Sequence, residues 1–285
     1  MTNFDRQYRL SAGQAGKPTG FEVGATTPES PIALHISFSI EKADTETPNT
    51  SKISVWNISK EHLNILNEKD CLVTLRAGYG NHMPLIFVGT ITNIVTSLDG
   101  ADRETEIEAA DGRVPLRDTF LALSYNGVVL NKQVIDDIAI QMGVTLTYSY
   151  NAQFVDFPNG FSFTGPARTA LDKACASSGL SWQIQNGVLQ VKMQRDTMSR
   201  EVYLLSPDTG LIEIPKKITI SADDEGAGDM PGLEVRYFLN GAINIGDYIR
   251  LESKVAQGYF RVHSVAMDGD NLEGDWLCTA QLLQA

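Results

Sequence analysis

Residues 51–95, SKISVWNISKEHLNILNEKDCLVTLRAGYGNHMPLIFVGTITNIV, carry the pattern that decides the fold. Ile53 and Val55 alternate with polar residues, which is the period-2 pattern of a half-buried strand. Ser59 is a typical N-cap residue and predicts a short helix over residues 59–67. A strand, one packed helix and a long hairpin together indicate a β-barrel or a β-sandwich.

Further strands extend this β region in both directions along the chain. Residues 72–75 and 85–94 predict two strands separated by a glycine-bearing loop, and residues 34–40 alternate strictly between apolar and polar side chains. The run RETEIEAADGR predicts another strand. We therefore expect a first β-barrel domain over residues 1–119.

Residues 120–198 have a different pattern, which predicts a small α/β domain. An apolar stripe at helical spacing predicts a helix that Gly143 ends. Its members are Val134, Ile135, Ile138 and Met142. A second helix is expected to start at Pro166, and Asn186-Gly187 is a typical hairpin turn between two alternating runs.

From residue 199 to residue 285 the pattern is β again, with alternation at Leu233, Val235 and Tyr237. The predicted fold class is α+β, mainly β, with two β-barrel or sandwich domains on either side of the small α/β domain. Two polar stretches, residues 11–30 and 223–231, are expected to be loops or arms.

Composition limits the classes of partner. The formal net charge is −12, so the surface should repel nucleic acid and anionic membranes, and sequence-specific nucleic acid binding is not expected. No apolar run is long enough to cross a bilayer, and no export leader opens the chain, so we expect neither membrane insertion nor export. Cys71, Cys175 and Cys278 are dispersed and are expected to be small buried side chains in a reducing cytoplasm.

The sequence contains no recognisable catalytic, cofactor or metal motif, so we expect no enzyme activity, no cofactor and no metal. The four histidines lack metal-ligand spacing, and Asp136-Asp137 is expected to be a solvated helix face. The acidic run Asp223-Asp224-Glu225 lacks the regular ligand series of a calcium loop. It is expected to be a loop, and Asp268-Gly269-Asp270 is expected to be a hairpin turn.

One acidic row has two possible interpretations. Glu104, Glu106 and Glu108 share one face of a predicted strand, although like charges repel. Such a row is most often a solvated face. The sharper hypothesis is an acidic wall that lines a channel.

Three stretches together resemble the central baseplate hub proteins of contractile-tailed bacteriophages, the late-control-protein-D-like family, and related injection machines. They are ISVWNISKEHLNILNEKDCLVTLRAGYG with PLIFVGTITNIV, then FTGPARTALDKACASSGLSWQIQNGVLQV, then LNGAINIGDYIRLES with QGYFRVHSVAMDGDNLEGDW. They cover most of the chain in the order that the family uses.

The resemblance implies that both flanking β domains are tail-tube-like barrels and that the chain forms a homotrimer. The resulting ring would adapt the six-fold tail tube to the three-fold spike, and DNA would pass through its lumen. The implied partners are the tail tube protein, the central spike protein, the tape-measure protein and other baseplate (wedge) proteins. The implied location is the virion tail baseplate, assembled in the host bacterial cytoplasm.

Three alternatives remain open from the sequence. The chain could be another baseplate or tail-tip ring component. Residues 121–195 could be a cell-wall-binding module or a remnant hydrolase. The chain could also be a β-rich cytoplasmic protein with no role in assembly.

Overall fold

The computed structural model describes residues 5–24, 33–43, 48–194, 196–198, 201–220 and 229–284. The chain divides into two compact units. The first unit contains Met1–Asp44, Asn49–Ala110 and Glu201–Ala285, and the second contains Thr45–Pro48 and Asp111–Arg200. No helix in the described part of the chain is long and apolar enough to cross a membrane.

In its described residues the first unit has thirteen strands in one sheet, one short α-helix and a 3-10 turn at Pro207–Thr209. The elements before the second unit are β1 (Arg6–Gly13), β2 (Gly20–Gly24), β3 (Ile36–Ala43), β4 (Thr50–Trp56), α1 (Lys60–Leu66), β5 (Leu72–Tyr79), β6 (Leu85–Asp99) and β7 (Asp102–Ala110). Numbered through the whole protein, the strands after it are β15 (Val202–Leu205), β16 (Lys216–Ile220), β17 (Met230–Phe238), β18 (Tyr248–Glu252), β19 (Gln257–Asp270) and β20 (Trp276–Gln284).

The sheet order explains why these two stretches of chain share one unit. The order is β16-β17-β20-β19-β3-β4-β7-β6-β5-β1-β2, and β18 pairs with β19 and with β15. The junction is the antiparallel pair of β3 and β19, from Ala43 opposite Ser264 to Ser37 opposite Asp270. One buried apolar cluster contains side chains from both stretches, including Ile40, Phe87 and Met267.

In the described residues the second unit has three helices, one three-stranded sheet and two two-stranded sheets. Its elements are α2 (Arg113–Asp118), β8 (Phe120–Tyr125), β9 (Val129–Leu130), α3 (Asn131–Met142), β10 (Thr145–Tyr148), β11 (Asp156–Phe157), β12 (Phe161–Pro166), α4 (Ala167–Ala176), β13 (Leu180–Gln185) and β14 (Val188–Met193). Helices α3 and α4 are the two longer helices, and α2 spans only six residues.

One buried polar side chain ties the second unit together. The Asn131 amide nitrogen, at the start of α3, donates to the Ala174 carbonyl (3.1 Å) and to Ser178 Oγ (2.8 Å). Its amide oxygen accepts from the Val155 N–H at 3.0 Å. Because a buried amide is costly unless its groups are bonded, these contacts fix α3 against the end of α4.

The predicted fold class, α+β and mainly β, is confirmed, but the strands in the described part of the chain do not close into a barrel. The described strand order is an open path that ends at β16 and β2. The structure changes unit after residues 110 and 200, and the expected domain boundaries after residues 119 and 198 stay a prediction. Both β stretches contribute strands to one sheet. Their division into two separate domains, 1–119 and 199–285, stays a prediction.

Two local predictions were wrong. Residues 11–30 were expected to be a loop, but β1 continues to Gly13 and pairs in a hairpin with β2, while residues 25–30 lie outside the described part of the chain. Asp268 and Gly269 were expected in a turn, but they pair with β3 and β20 as part of β19. The expected acidic loop at 223–225 lies outside the described residues.

Candidate assembly face: an acidic strand row and two sheet edges

The acidic row lies on β7, in the middle of the large sheet. Thr105, Ile107 and Ala109 point to the core and are at most 2% exposed. The three glutamates, Glu104, Glu106 and Glu108, alternate with them and are half-buried on the opposite face. The structure therefore brings the predicted side chains together on one face, and the lining of a lumen by that face stays a prediction.

One lysine lies beside the three carboxylates. Lys52 on β4 is opposite Glu108 in the register, and its Nζ lies 2.8 Å from Glu106 Oε2. The hydrogen bond to Glu106 and the charges of Glu106, Glu108 and Glu104 raise the pKa of Lys52. One cation against three carboxylates leaves this part of the face negative at neutral pH.

The polar face continues across the neighbouring strands. In the register, Ser54 and Lys52 on β4 lie opposite Ser37 and Ser39 on β3. Ser39 Oγ in turn donates to Asp268 Oδ1 on β19 at 2.8 Å. The same face therefore runs from β7 to the strands contributed by the last third of the chain.

An ion network lies near the β16 end of this face. Arg236 Nη1 is 2.7 Å from Glu213 Oε1, and its Nη2 is 3.6 Å from Asp275. Lys216 Nζ is 3.5 Å from Glu213 and 3.6 Å from Glu234. Such exposed pairs contribute little to stability, so their main effect is to set the local charge.

A half-paired strand borders the acidic row on its other side. β5 pairs with β6 only from Leu85 to Thr90, whereas β7 pairs with β6 from Thr90 to Asp99. Val95 is 49% exposed and Leu98 is 82% exposed. Among the strands that the structure describes, none pairs with the outer edge of residues 92–99.

Sequence reasoning missed a junction around Asp270. His35 Nε2 lies 3.0 Å from Asp270 Oδ2, and the His35 ring stacks on Trp56 with centroids 3.9 Å apart. Arg6 Nη1 donates to the Asp270 carbonyl at 2.6 Å. The partners are more than 230 residues apart, so no local pattern could have revealed them.

The carboxylates of Asp136 and Asp137 accept hydrogen bonds from tyrosines rather than being only solvated. Tyr148 donates its hydroxyl proton to Asp136 at 2.8 Å, and Tyr125 donates to Asp137 at 2.5 Å. Burial and the adjacent carboxylates raise the pKa of both tyrosines. The two carboxylates hold different tyrosines, so they do not form a paired acid–base site.

Metal and thiol chemistry have no assembled site in the described ranges. No group of three or more His, Cys, Asp or Glu side chains in these ranges is placed to hold a metal ion. Cys71, Cys175 and Cys278 are buried, as predicted. Burial raises the pKa of the Cys278 thiol to about 12, which disfavours the reactive thiolate.

Comparison with known proteins gives a consistent result at the level of structure. No family profile matches the sequence, and no curated protein matches it in sequence. The 43 kDa tail protein of prophage MuSo2 from Shewanella oneidensis superposes with a TM-score of 0.62 and 10% identity, over 98% of both chains. The chain has the fold of phage tail proteins.

Two further structures share this tail-protein fold. A tail protein from Neisseria meningitidis gives a TM-score of 0.61 and 10% identity, over 97% of this chain and 96% of that one. The Escherichia coli c3393 protein gives 0.61 and 10%, over 88% of this chain and 73% of that one. It is described as a type VI secretion component that resembles the T4 bacteriophage tail proteins gp27 and gp5. The predicted resemblance to tail and baseplate proteins is thus confirmed at the level of the fold.

Proposed function

We propose that the chain is a structural baseplate hub of a phage-type contractile tail. The observation that carries the proposal is the match to a prophage tail protein over 98% of both chains, which leaves no large part of this chain for another fold. The resemblance of the three sequence stretches to hub proteins points in the same direction. The role is non-enzymatic and depends on contacts with other tail components.

In this proposal three copies form a ring between the tail tube and the central spike. The tape-measure protein ends within the ring, and wedge proteins surround it in the baseplate. The ring assembles in the host bacterial cytoplasm and remains in the virion. A thirteen-stranded sheet with one polar face and one core face supports this role, since such a sheet can line a passage with polar side chains.

The acidic row is assigned to the lumen in this proposal. Glu104, Glu106 and Glu108 would face passing DNA, and their negative charge would repel the phosphate backbone. A repelling wall lets DNA slide without being held. The net charge of −12 supports the same behaviour for the whole surface.

The test is the mass of the purified protein in solution, alone and together with the products of the genes encoded beside its own. A trimer, or a chain that becomes three-fold when it meets a spike-like partner, supports the hub. A chain that stays monomeric with every neighbouring product contradicts it. Electron microscopy of the complex would then show whether the ring has a central opening.

A further inference from the structure

Among the described strands, the last residues of β6 form an edge that no other strand covers. Residues 91–98, ITNIVTSL, contain no charge and no proline, and Val95 and Leu98 are exposed. The register shift between Ile91 and Asn93 lies at the beginning, so residues 93–99 remain regular strand. Long uncharged edges pair readily with other strands, and natural proteins usually block them with lysine, proline or a bulge.

A second edge lies at the opposite end of the sheet. β16, with the sequence KKITI, pairs only with β17 among the described strands. Lys216 and Lys217 are both exposed. The Lys216 ion pairs, at 3.5 and 3.6 Å, are longer than the 2.8 Å pair of Lys52 with Glu106, so Lys216 is loosely held.

The two edges have complementary charge. The β6 edge is flanked by the glutamates of β7 and by Asp99 and Asp102 at the end of the hairpin. Of these glutamates, Glu106 is paired with Lys52, while no ion pair of Glu104 is found in the described part of the chain. The β16 edge carries two exposed lysines, and a lysine side chain is long enough to extend over β6 towards the carboxylates of β7, one strand further, where opposite charges attract.

The faces of the two edges also match. Lys216 lies opposite Glu234 in the register, on the polar face of the sheet, and Val95 lies opposite Glu106 on the polar face at the other end. A β16 strand added beside β6 in this orientation places Lys216, Ile218 and Ile220 on the polar face and Lys217 and Thr219 on the other face. Lys216 would then lie over Val95, near the glutamate row.

We propose that β16 of a second copy of this chain pairs with the β6 edge at residues 93–99. The proposal rests on the proposed ring and specifies which edges join its copies. Because the two edges are different surfaces, the contact is heterologous and repeats until a ring closes, rather than stopping at a dimer. Main-chain hydrogen bonds supply the affinity, and the lysine–glutamate contacts set the register.

Cysteine cross-linking between two differently labelled variants tests the pairing directly. One full-length variant carries Ile218→Cys, and a set of others carries Asn93→Cys, Val95→Cys or Ser97→Cys, which covers neighbouring registers on the same face. The native cysteines are buried, so they give little background. Ile140→Cys, on a 74% exposed position of α3, is the matched control for random collisions.

The expected result is a covalent dimer when the Ile218→Cys protein is mixed with one of the β6 variants, and none from either alone. A dimer from a β6 variant alone would mean that two β6 edges pair with each other and would overturn the proposal. Three-fold particles without a mixed dimer would also overturn it while leaving the proposed hub intact. A monomer under all conditions would contradict both.

Charge reversal gives an independent readout. Lys216→Glu should weaken assembly at least about tenfold, because it places a carboxylate beside the glutamate row. The double variant Lys216→Glu with Glu104→Lys should regain assembly. The double variant Lys254→Glu with Glu104→Lys, in which the reversed lysine does not lie on β16, should not assemble normally. Equal assembly by all these variants would show that the β16 edge does not contact the glutamate row.

Discussion

At the residue scale, Asp270 connects two stretches that are 235 positions apart in the chain. Its Oδ1 accepts the backbone N–H groups of Leu272 (2.9 Å) and Glu273 (3.0 Å), while its Oδ2 contacts His35. Burial tends to raise the pKa of this carboxyl, but the His35 contact and the two N–H bonds outweigh it, and the pKa is lowered. The ionised carboxylate is therefore part of the junction between β3 and β19.

Replacing Asp270 with Asn should destabilise the protein by about 1–2 kcal/mol at neutral pH, since a charge-assisted contact and an N–H acceptor are weakened. A depressed folded-state pKa contributes stability above the unfolded-state pKa, and this is lost as the pH falls through the folded value. The difference in the free energy of unfolding between the parent protein and Asp270→Asn should therefore become smaller below about pH 4. Urea unfolding at pH 7 and pH 3.5 would measure it.

Glu273→Gln is the matched control, because that side chain is exposed and lies three residues further along the chain, in the same turn. It should leave stability nearly unchanged at both pH values. An Asp270→Asn variant as stable as the parent at pH 7 would show that the junction is held by backbone pairing alone.

At the scale of single elements, much of the structure follows from local sequence. The alternation at residues 34–40 predicts β3, and the stripe around Ile138 predicts α3 with its end at Gly143, which has a left-handed φ of 67°. Asn186-Gly187 predicts the β13–β14 turn, where both residues have positive φ. These signals work because each is contained within one element and its caps.

Elements with weak local signals were missed. β2 is only five residues long and is bounded by Gly20 and Gly24, so its three middle residues show too little alternation to identify a strand. Pairing between distant strands, such as β3 with β19, leaves no local pattern at all. The acidic row was found from the sequence because its period is visible on one strand. The open β6 edge was not found, because it depends on where β5 stops pairing.

Helix α1 offers a test at this scale. Ser59 Oγ accepts the backbone N–H of His62 at 3.1 Å, as the N-cap prediction requires. The helix has only seven residues, so one cap is a large part of its stabilisation. Ser59→Ala should lower the free energy of unfolding by about 1 kcal/mol. Chemical denaturation would measure the loss.

Ser162→Ala on β12 serves as the control for that measurement, since Ser162 is an exposed strand residue. Its stability should change by less than about 0.5 kcal/mol. Equal losses in the two variants would mean that the Ser59 hydrogen bond contributes nothing specific.

At the scale of the whole molecule, the shared sheet determines which fragments can fold. Residues 111–200 contain a complete buried cluster of their own, including Val134, Leu171 and Trp182. Residues 1–110 depend on β19 for the partner of β3 and on core side chains from the end of the chain. We therefore expect residues 111–200 to fold as an isolated fragment, and residues 1–110 to fold only when the last part of the chain is present.

A fragment of residues 111–200 should therefore unfold cooperatively by itself, whereas a fragment of residues 1–110 should not. Co-expression of residues 201–285 should restore folding to residues 1–110, which separates loss of the partner from damage at the cut. Circular dichroism during heating would report all three cases. Cooperative unfolding of residues 1–110 alone would instead favour two separate β domains.

The acidic surface predicts how the assembled protein treats DNA. With a net charge of −12, the chain should not retain double-stranded DNA at any salt concentration, because the excess of carboxylates over basic side chains repels the phosphate backbone. Reversing Glu104, Glu106 and Glu108 to Lys changes the net charge from −12 to −6 and places three cations in one row. Gel-shift assays over a range of salt should then show binding that weakens steeply as salt rises.

A second triple variant separates this row from net charge. Asp156→Lys, Asp208→Lys and Glu273→Lys produce the same −6 at scattered exposed positions. That protein should remain unable to retain DNA, because dispersed cations cannot contact successive phosphates of one duplex at once. If both variants bind DNA equally, net charge alone accounts for repulsion and the glutamate row has no special part in it. Binding only by the row variant shows that β7 presents a surface that DNA can reach along its length, which the lumen proposal requires.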